Sequence, residues 1–219
     1  MSNRTNWWIA LAAAALVGPA AGCGDLNVTN PNAPERERAF SDPATIVAAA
    51  AGTMKSWINT RFAYSPALTL STMADHSTFS WNNFNGRYYS SYGVDCPNRC
   101  AWVNATTSVL GLNVEGYWYG FYALLSSAND ALFALREQAT PPDLGADRDA
   151  VETVSQIAQG IAHAMIALNY DQGFIAREDT DPATLELVPR AQIRDAAMQM
   201  LEAGYTLANT KTFNSGANW

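Results

Sequence analysis

Between Phe79 and Tyr92 the sequence carries its densest run of side chains able to hold a ligand: Phe79, Trp81, Asn82, Asn83, Phe84, Asn85, Arg87, Tyr88, Tyr89 and Tyr92. Sugar rings have apolar C–H faces and hydroxyl edges, so a saccharide site wants flat aromatic platforms with amide and guanidinium groups beside them. Trp81, Asn82, Asn83, Phe84, Arg87 and Tyr88 offer both and are the candidate ligand-binding residues, Trp81 and its two Asn neighbours first. The competing assignment is that these aromatics cover the helices or touch a partner protein. Catalytic chemistry has thinner support. Asp75-His76 offers one imidazole with no third ligand nearby. Glu178, Asp179 and Asp181 fall in a loop, as capping or solvated carboxylates. A glycosidase would need two opposed carboxylates about 5 to 9 Å apart, which a sequence cannot place. There is no Gly-x-Ser-x-Gly, His-Glu-x-x-His or phosphate-cradling loop. No catalytic residue, metal or cofactor is assigned.

The three cysteines divide into one and two. Cys96 and Cys100 close the run Asp95-Cys96-Pro97-Asn98-Arg99-Cys100. In an exported protein such a pair forms a disulfide, and so short a loop contributes about 2 kcal/mol. A metal site there would need two further ligands, and the only histidines are His76 and His163.

Export is read from the N-terminus. Arg4 is followed by the uninterrupted apolar run Trp7 to Val17, then by the breakers Gly18 and Pro19 and the small residues Ala20, Ala21 and Gly22. Charge, short apolar core and small-residue cleavage site make a secretory signal. The run is shorter than the roughly 20 residues of a membrane span, and it lacks the polar face that a globular amphipathic helix would show. Ala20-Ala21-Gly22-Cys23 resembles a bacterial lipobox, with Ala20 where Leu is commoner. Cys23 is therefore the expected lipidated residue. Each buried CH₂ of an acyl chain is worth about 0.8 kcal/mol, and more than one chain makes the anchor stable. The Asn- and Pro-rich stretch after Cys23 reads as a tether. The expected organisation is a signal peptide over 1–22, lipidated Cys and tether over 23–41, and a helical domain over 42–219.

The elements that must position any site are helices. Asp42-Pro43 starts the first, on which Ile46, Ala50, Met54, Trp57 and Ile58 share a face until Asn59-Thr60. A weaker helix covers Pro66 to Asp75. Gly116 to Glu137 carries Trp118, Phe121, Tyr122, Leu125, Ala128, Asn129, Leu132 and Phe133 at helical spacing and stops before Pro141-Pro142. Core packing is the expected role of Trp118 and Tyr122, with Asn129 hydrogen-bonded to a neighbour. Asp147 to Ile175 has Val154, Ile157, Ala158, Ile161, Met165 and Leu168 as its inner face, widened by Ala162, Ile166 and Tyr170. Pro189 to Ala208 is the last helix, lined by Ile193, Ala197, Met200, Leu201, Gly204 and Leu207. No strand pattern competes, so the expected fold is all-α, with stacked helical pairs and long irregular loops. The helices recur roughly every 35 to 40 residues, whereas a tetratricopeptide repeat fits two into about 34, so the period by itself does not establish that repeat. Net charge is −7 with no basic stripe, which excludes a nucleic-acid binder.

Taken in order, the motifs are a lipobox Cys23 with its Asn/Pro tether, a first helix ending in Trp57, Trp118-Tyr119-Gly120-Phe121-Tyr122 followed by Ala128-Asn129, Ala167-Leu168-Asn169-Tyr170-Asp171-Gln172-Gly173-Phe174, Val188-Pro189-Arg190, and Glu202-Ala203-Gly204-Tyr205-Thr206-Leu207. This ordered set resembles the N-terminal half of the SusD/RagB family of outer-membrane nutrient-binding lipoproteins, and the loop-like end at Trp219 points to a truncated protein. Asn169-Tyr170-Asp171 stands where the family often carries Arg and a Leu-Val-x-x-Tyr pattern, which implies a divergent branch. The resemblance implies tetratricopeptide-like helix pairs, surface exposure at the outer membrane, and a SusC-like TonB-dependent barrel as partner. It also implies a glycan or other small nutrient as ligand, with a hinge-like lid movement on delivery and no catalysis. Two rivals are a lipid-anchored helical-repeat scaffold for proteins, which predicts an apolar concave groove, and a carbohydrate-active enzyme, which predicts two carboxylates facing each other in a cleft.

Overall fold

Asp42 and Pro43 open the first long helix in the way their chemistry favours. In the computed structural model, which describes residues 36–78 and 112–213, the Asp42 carboxylate accepts from the Ala44 and Thr45 N–H groups at 3.4 and 3.1 Å. Among the described residues the helices are α1 (Arg36–Ala39), α2 (Pro43–Arg61), α3 (Tyr64–Met73), α4 (Leu112–Arg136), α5 (Arg148–Asn169) and α6 (Arg190–Thr210), with short 3₁₀ turns at Gly145–Asp147 and Pro182–Thr184. Among the described residues the strands are Gln172–Gly173 (β1) and Val188–Pro189 (β2), antiparallel, with Gln172 opposite Pro189 and Gly173 opposite Val188. The fold is all-α.

Helix α5 is central. It packs on α4 and α6, while α2 lies against both α4 and α5, and α3 against α4. One core cluster joins Tyr117, Phe121, Leu124, Leu125 and Ala128 of α4 to Ala158, Ala162 and Ile166 of α5 and Ile193 of α6. A second joins Ile46 and Ala50 of α2 to Ala131, Ala134 and Leu135 of α4, with Leu144 and Val151. Burial of such aliphatic and aromatic side chains is the main term that holds these helices together. Helices α5 and α6 come close because glycines face side chains at both crossing points. A Cβ on Gly160 would sit 2.8 Å from Leu201 Cγ, and one on Gly204 would sit 2.6 Å from Ile157 Cγ1.

Three expectations change. The fourth helical segment was expected to run to Ile175, but α5 ends at Asn169 and Tyr170 turns to extended backbone (φ −132°, ψ 149°). The cause is tertiary: Gly173 lies where a Cβ would meet Ile166 Cγ2 at 2.7 Å and the Tyr122 hydroxyl at 2.8 Å. The backbone of the following residues is satisfied by side chains of α4 and α5 instead of by a helical ladder. Second, the buried face of α5 is centred on Ala150, Val151, Ser155, Ala158, Ala162 and Ile166, so Leu168 is 76% exposed and not an inner residue. Third, part of the stretch assigned to the tether is folded. Arg36 in α1 pairs with Asp130 (2.7 Å), donates to the Asn129 carbonyl (3.1 Å) and lies 4.0 Å from the centre of the Phe133 ring. A guanidinium over an aromatic face is a favourable contact in its own right.

Candidate functional site

The residues after α5, Tyr170 to Glu178, form a strap over α4 and α5, and the polar side chains beneath it come from regular helical spacings. Tyr122 and Asn129 are two turns apart on α4; Gln156, Gln159 and His163 succeed one another at i, i+3 and i+7 on α5. The Tyr122 hydroxyl accepts the Phe174 N–H at 2.6 Å and donates to the Phe174 carbonyl at 3.3 Å. Asn129 Nδ2 donates to the Ala176 carbonyl at 3.2 Å, and its Oδ1 accepts from Gln159 Nε2 at 2.8 Å. His163 Nε2 accepts the Ala176 N–H at 3.2 Å. An amide N–H can only donate, so the ring is neutral there, and its Nδ1–H donates to the Gln159 carbonyl at 2.8 Å. Burial, with Arg177 nearby, holds the imidazole below its ordinary pKa.

Glu178 closes the strap. Its carboxylate pairs with Arg136 at 2.6 Å and accepts from Gln159 Nε2 at 2.8 Å. Arg136 also pairs with Glu152 at 3.0 Å and donates to Gln156 Oε1 at 3.0 Å. Burial pushes the Glu178 carboxyl up, but its own backbone N–H, Arg136 and Gln159 together hold it below the usual value. The expectation that Glu178 is a capping or solvated carboxylate is thus corrected, because the strap folds it onto α4. Asp181 does cap, accepting the Ala183 N–H at 2.9 Å.

Beside these bonds lies an aromatic cluster. Trp118 meets Tyr122, Tyr170 and Phe174 at centroid distances of 4.7, 5.1 and 6.0 Å, and Tyr122 meets Phe174 at 5.9 Å. These tilted and edge-on contacts suit the ring quadrupoles. Tyr170 belongs to this cluster; the Asp171 side chain is exposed beside Arg190 at 3.5 Å, and the tie at this point is the Arg190 N–H donating to the Asp171 carbonyl at 2.8 Å. Tyr170 and Asp171 are thus held at this point by ring packing, the ion pair with Arg190 and the backbone.

Opposite in character is a groove of about 530 Å³ between α5 and α6, lined by Ala164, Ala167, Leu168, Arg190, Ala191, Arg194, Ala197 and Met198. Met198 is 60% and Tyr205 69% exposed along the same helix. Arg194 is occupied by Asp195 at 2.8 Å, an exposed pair of small energetic weight. Small side chains on the floor and long apolar ones at the rim suit an apolar partner surface. Among the described residues the lining includes no aromatic platform for a sugar ring.

The candidate ligand residues Trp81, Asn82, Asn83, Phe84, Arg87 and Tyr88, the pair Cys96 and Cys100, and Cys23 all lie outside the described residues. Asp75 and His76 are exposed at the end of α3. Among the described residues no cluster of three or more His, Cys, Asp or Glu is placed to hold a metal ion. Glu152 and Glu178 do meet, but on a shared guanidinium. The hub at Arg136 and the buried polar trio of α5 went unread in the sequence. Their signal in the sequence is that Gln156, Gln159 and His163 fall on one face of a helix otherwise rich in Ala, Ile and Val. No protein-family profile, curated protein or solved structure matches the chain.

Proposed function

We propose that the chain is an exported lipoprotein of the SusD/RagB type, held at the outer-membrane surface through Cys23. It captures a nutrient, an oligosaccharide first among the candidates, and delivers it to a SusC-like TonB-dependent barrel. The observation that carries this reading is the meeting of motifs far apart in sequence. Trp118 and Tyr122 from one motif pack against Tyr170 and Phe174 from another, and Asn129 of the first binds the backbone just beyond the second. Motifs that answer to one packing constraint support treating their order as the mark of one scaffold. The succession α4, α5, α6, each packed on its predecessor, supports tetratricopeptide-like pairing. In this reading Trp81, Phe84 and Tyr88 stack on sugar rings, Asn82, Asn83 and Arg87 bond the hydroxyls, and no bond of the ligand is broken.

The test is a calorimetric screen against a panel of oligosaccharides, comparing the intact protein with Trp81→Ala. The expected outcome is binding of at least one glycan, weakened at least tenfold in the variant. A variant that binds every glycan as tightly as the parent removes Trp81 from the site. In parallel, Cys23→Ser is expected to lose labelling by radioactive palmitate and to leave the membrane fraction. Retention there ends the anchor assignment.

One observation favours a second reading, a lipid-anchored scaffold for proteins. The apolar groove of α5 and α6 is the feature that reading predicts, and Met198 stands exposed at its rim. Met198→Glu separates the two: it spares glycan binding under the first reading, and under the second it abolishes crosslinking of the protein to its membrane partner.

A further inference from the structure

The strap of residues 170–178 is held mostly by groups that do not change charge near neutral pH. Tyr122 and Asn129 bond it without titrating there, and Glu178 remains a carboxylate beside Arg136. His163 is different, because a single proton reverses the role of the atom that holds the strap. We propose that His163 is a proton-operated latch: acidification adds a proton to Nε2, the Ala176 N–H loses its acceptor, and the strap lifts from α4 and α5 while the helices stay folded.

The geometry leaves the ring no alternative. His163 has no solvent exposure, and both nitrogens are committed, Nδ1 to the Gln159 carbonyl and Nε2 to the Ala176 N–H. A protonated Nε2–H would face another N–H. The nearby acceptors are in use: the Ala176 carbonyl takes the Asn129 amide, and Asn129 Oδ1 takes Gln159. The charge acting on the ring is Arg177 on the strap; Glu178 reaches its neighbour Gln159, and Arg136 on α4 binds Gln156, Glu178 and Glu152 of α5, while α6 buries Ile193, Ala197 and Met200. Glu178 and Glu152 are already paired with Arg136, so among the described residues neither carboxylate of this network is free to take up an imidazolium. Regular structure adds little to resist opening, since the strap's ladder is the two-residue pair of β1 and β2.

The direction follows from burial. The folded ring sits below the ordinary histidine pKa, so the open strap binds the proton more readily than the closed one. The latch is closed above the ordinary value and weakens as pH falls from there toward the lowered folded value. Opening uncovers Phe174 and the faces of Trp118 and Tyr122 on which it packs.

The test is amide hydrogen exchange on the full chain from pH 7.5 to 4.5, corrected for intrinsic rates. Ala176 protection is expected to hold above the ordinary histidine value and then to fall with pH toward the lowered folded value, by at most about tenfold per pH unit, as coupling to one proton requires, while Ala158 and Ala162 in α5 keep theirs. His163→Gln supplies an acceptor that does not titrate, and its strap is expected to exchange without that pH dependence. If the variant fails to fold, the ring nitrogen resonances of the parent decide: Nε2 protonation must coincide with the loss of Ala176 protection. Protection of Ala176 that follows the α5 amides throughout, a glutamine variant with unchanged pH dependence, or a ring still neutral when the strap loosens would each overturn the latch.

Discussion

The hydroxyl of Tyr122 holds both sides of one peptide group, accepting the Phe174 N–H at 2.6 Å and donating to the Phe174 carbonyl at 3.3 Å. One side-chain oxygen thus replaces what a helix or sheet would supply to that residue. Tyr122→Phe keeps the ring against Trp118 and Phe174 and removes only the oxygen. Two partly buried backbone groups then lose their partner, at a cost of about 1–3 kcal/mol. Urea denaturation of the variant measures it. A midpoint equal to the parent's would mean that water satisfies Phe174 as well as the tyrosine does.

Glycine substitutions divide by what stands opposite. A Cβ on Gly160 meets Leu201 Cγ at 2.8 Å and the Leu201 backbone nitrogen at 3.0 Å, and one on Gly204 meets Ile157 at 2.6 Å. Gly160→Ala and Gly204→Ala must push α5 and α6 apart, at about 1–3 kcal/mol each. Gly52 in α2 has nothing within 4 Å of its Cβ position, so Gly52→Ala gains up to about 1 kcal/mol from helix propensity alone. Thermal unfolding of the three variants should split in sign, and a common sign would refute the close-approach argument.

Much of the scaffold was legible because amphipathic period, caps and breakers act locally. Asp42-Pro43 at the start of α2 and the stripe Phe121, Leu125, Ala128 and Leu132 in α4 behave as their spacing dictates. What could not be read was decided by partners distant in sequence. Asn169 ends α5 because Gly173 has to fit against Ile166, Tyr122 and Ile193, and residues 171–175 carry no local stop signal stronger than that one glycine. Leu168 continues the apolar period of α5 yet points into the open groove. Glu178 looked solvated because its partner Arg136 is 42 residues earlier. The ligand residues Trp81 to Tyr88 rest on composition and chemistry alone, since they fall outside the described residues.

Ser155 gives a prediction of opposite sign to most core changes. Among the described residues, Ser155 Oγ and Trp57 Nε1 are buried without a hydrogen-bond partner. A buried hydroxyl with no partner keeps its desolvation penalty and gains nothing in exchange. Ser155→Ala removes the penalty and improves helix propensity, so it should stabilise by about 1 kcal/mol. Denaturant titration reads the shift directly. A destabilised variant would show that the hydroxyl is bonded in solution, to a bound water for example.

The hub at Arg136 predicts a pH-dependent gap between two proteins. Arg136→Met keeps an unbranched apolar stem, though a shorter one, and leaves Glu152 and Glu178 without their cation. Exposed ion pairs contribute about 0–1 kcal/mol and breaking buried ones costs about 3–5 kcal/mol, so these half-buried pairs place the loss at pH 7 at about 1–3 kcal/mol. In the parent, Glu178 titrates below the ordinary carboxylate value; its contribution is fully present above that value and disappears as pH falls through the folded one. In the variant, burial acts on Glu178 without Arg136 to oppose it, so its folded pKa rises. The stability gap between parent and variant therefore stands at its full size at pH 7 and closes as pH falls from above to below the ordinary carboxylate value. Urea titrations at pH 7 and pH 4 measure how far it has closed. A gap of the same size at both would mean that Arg136 acts through its packing on α4 and α5, and that its charge contributes nothing to holding the strap.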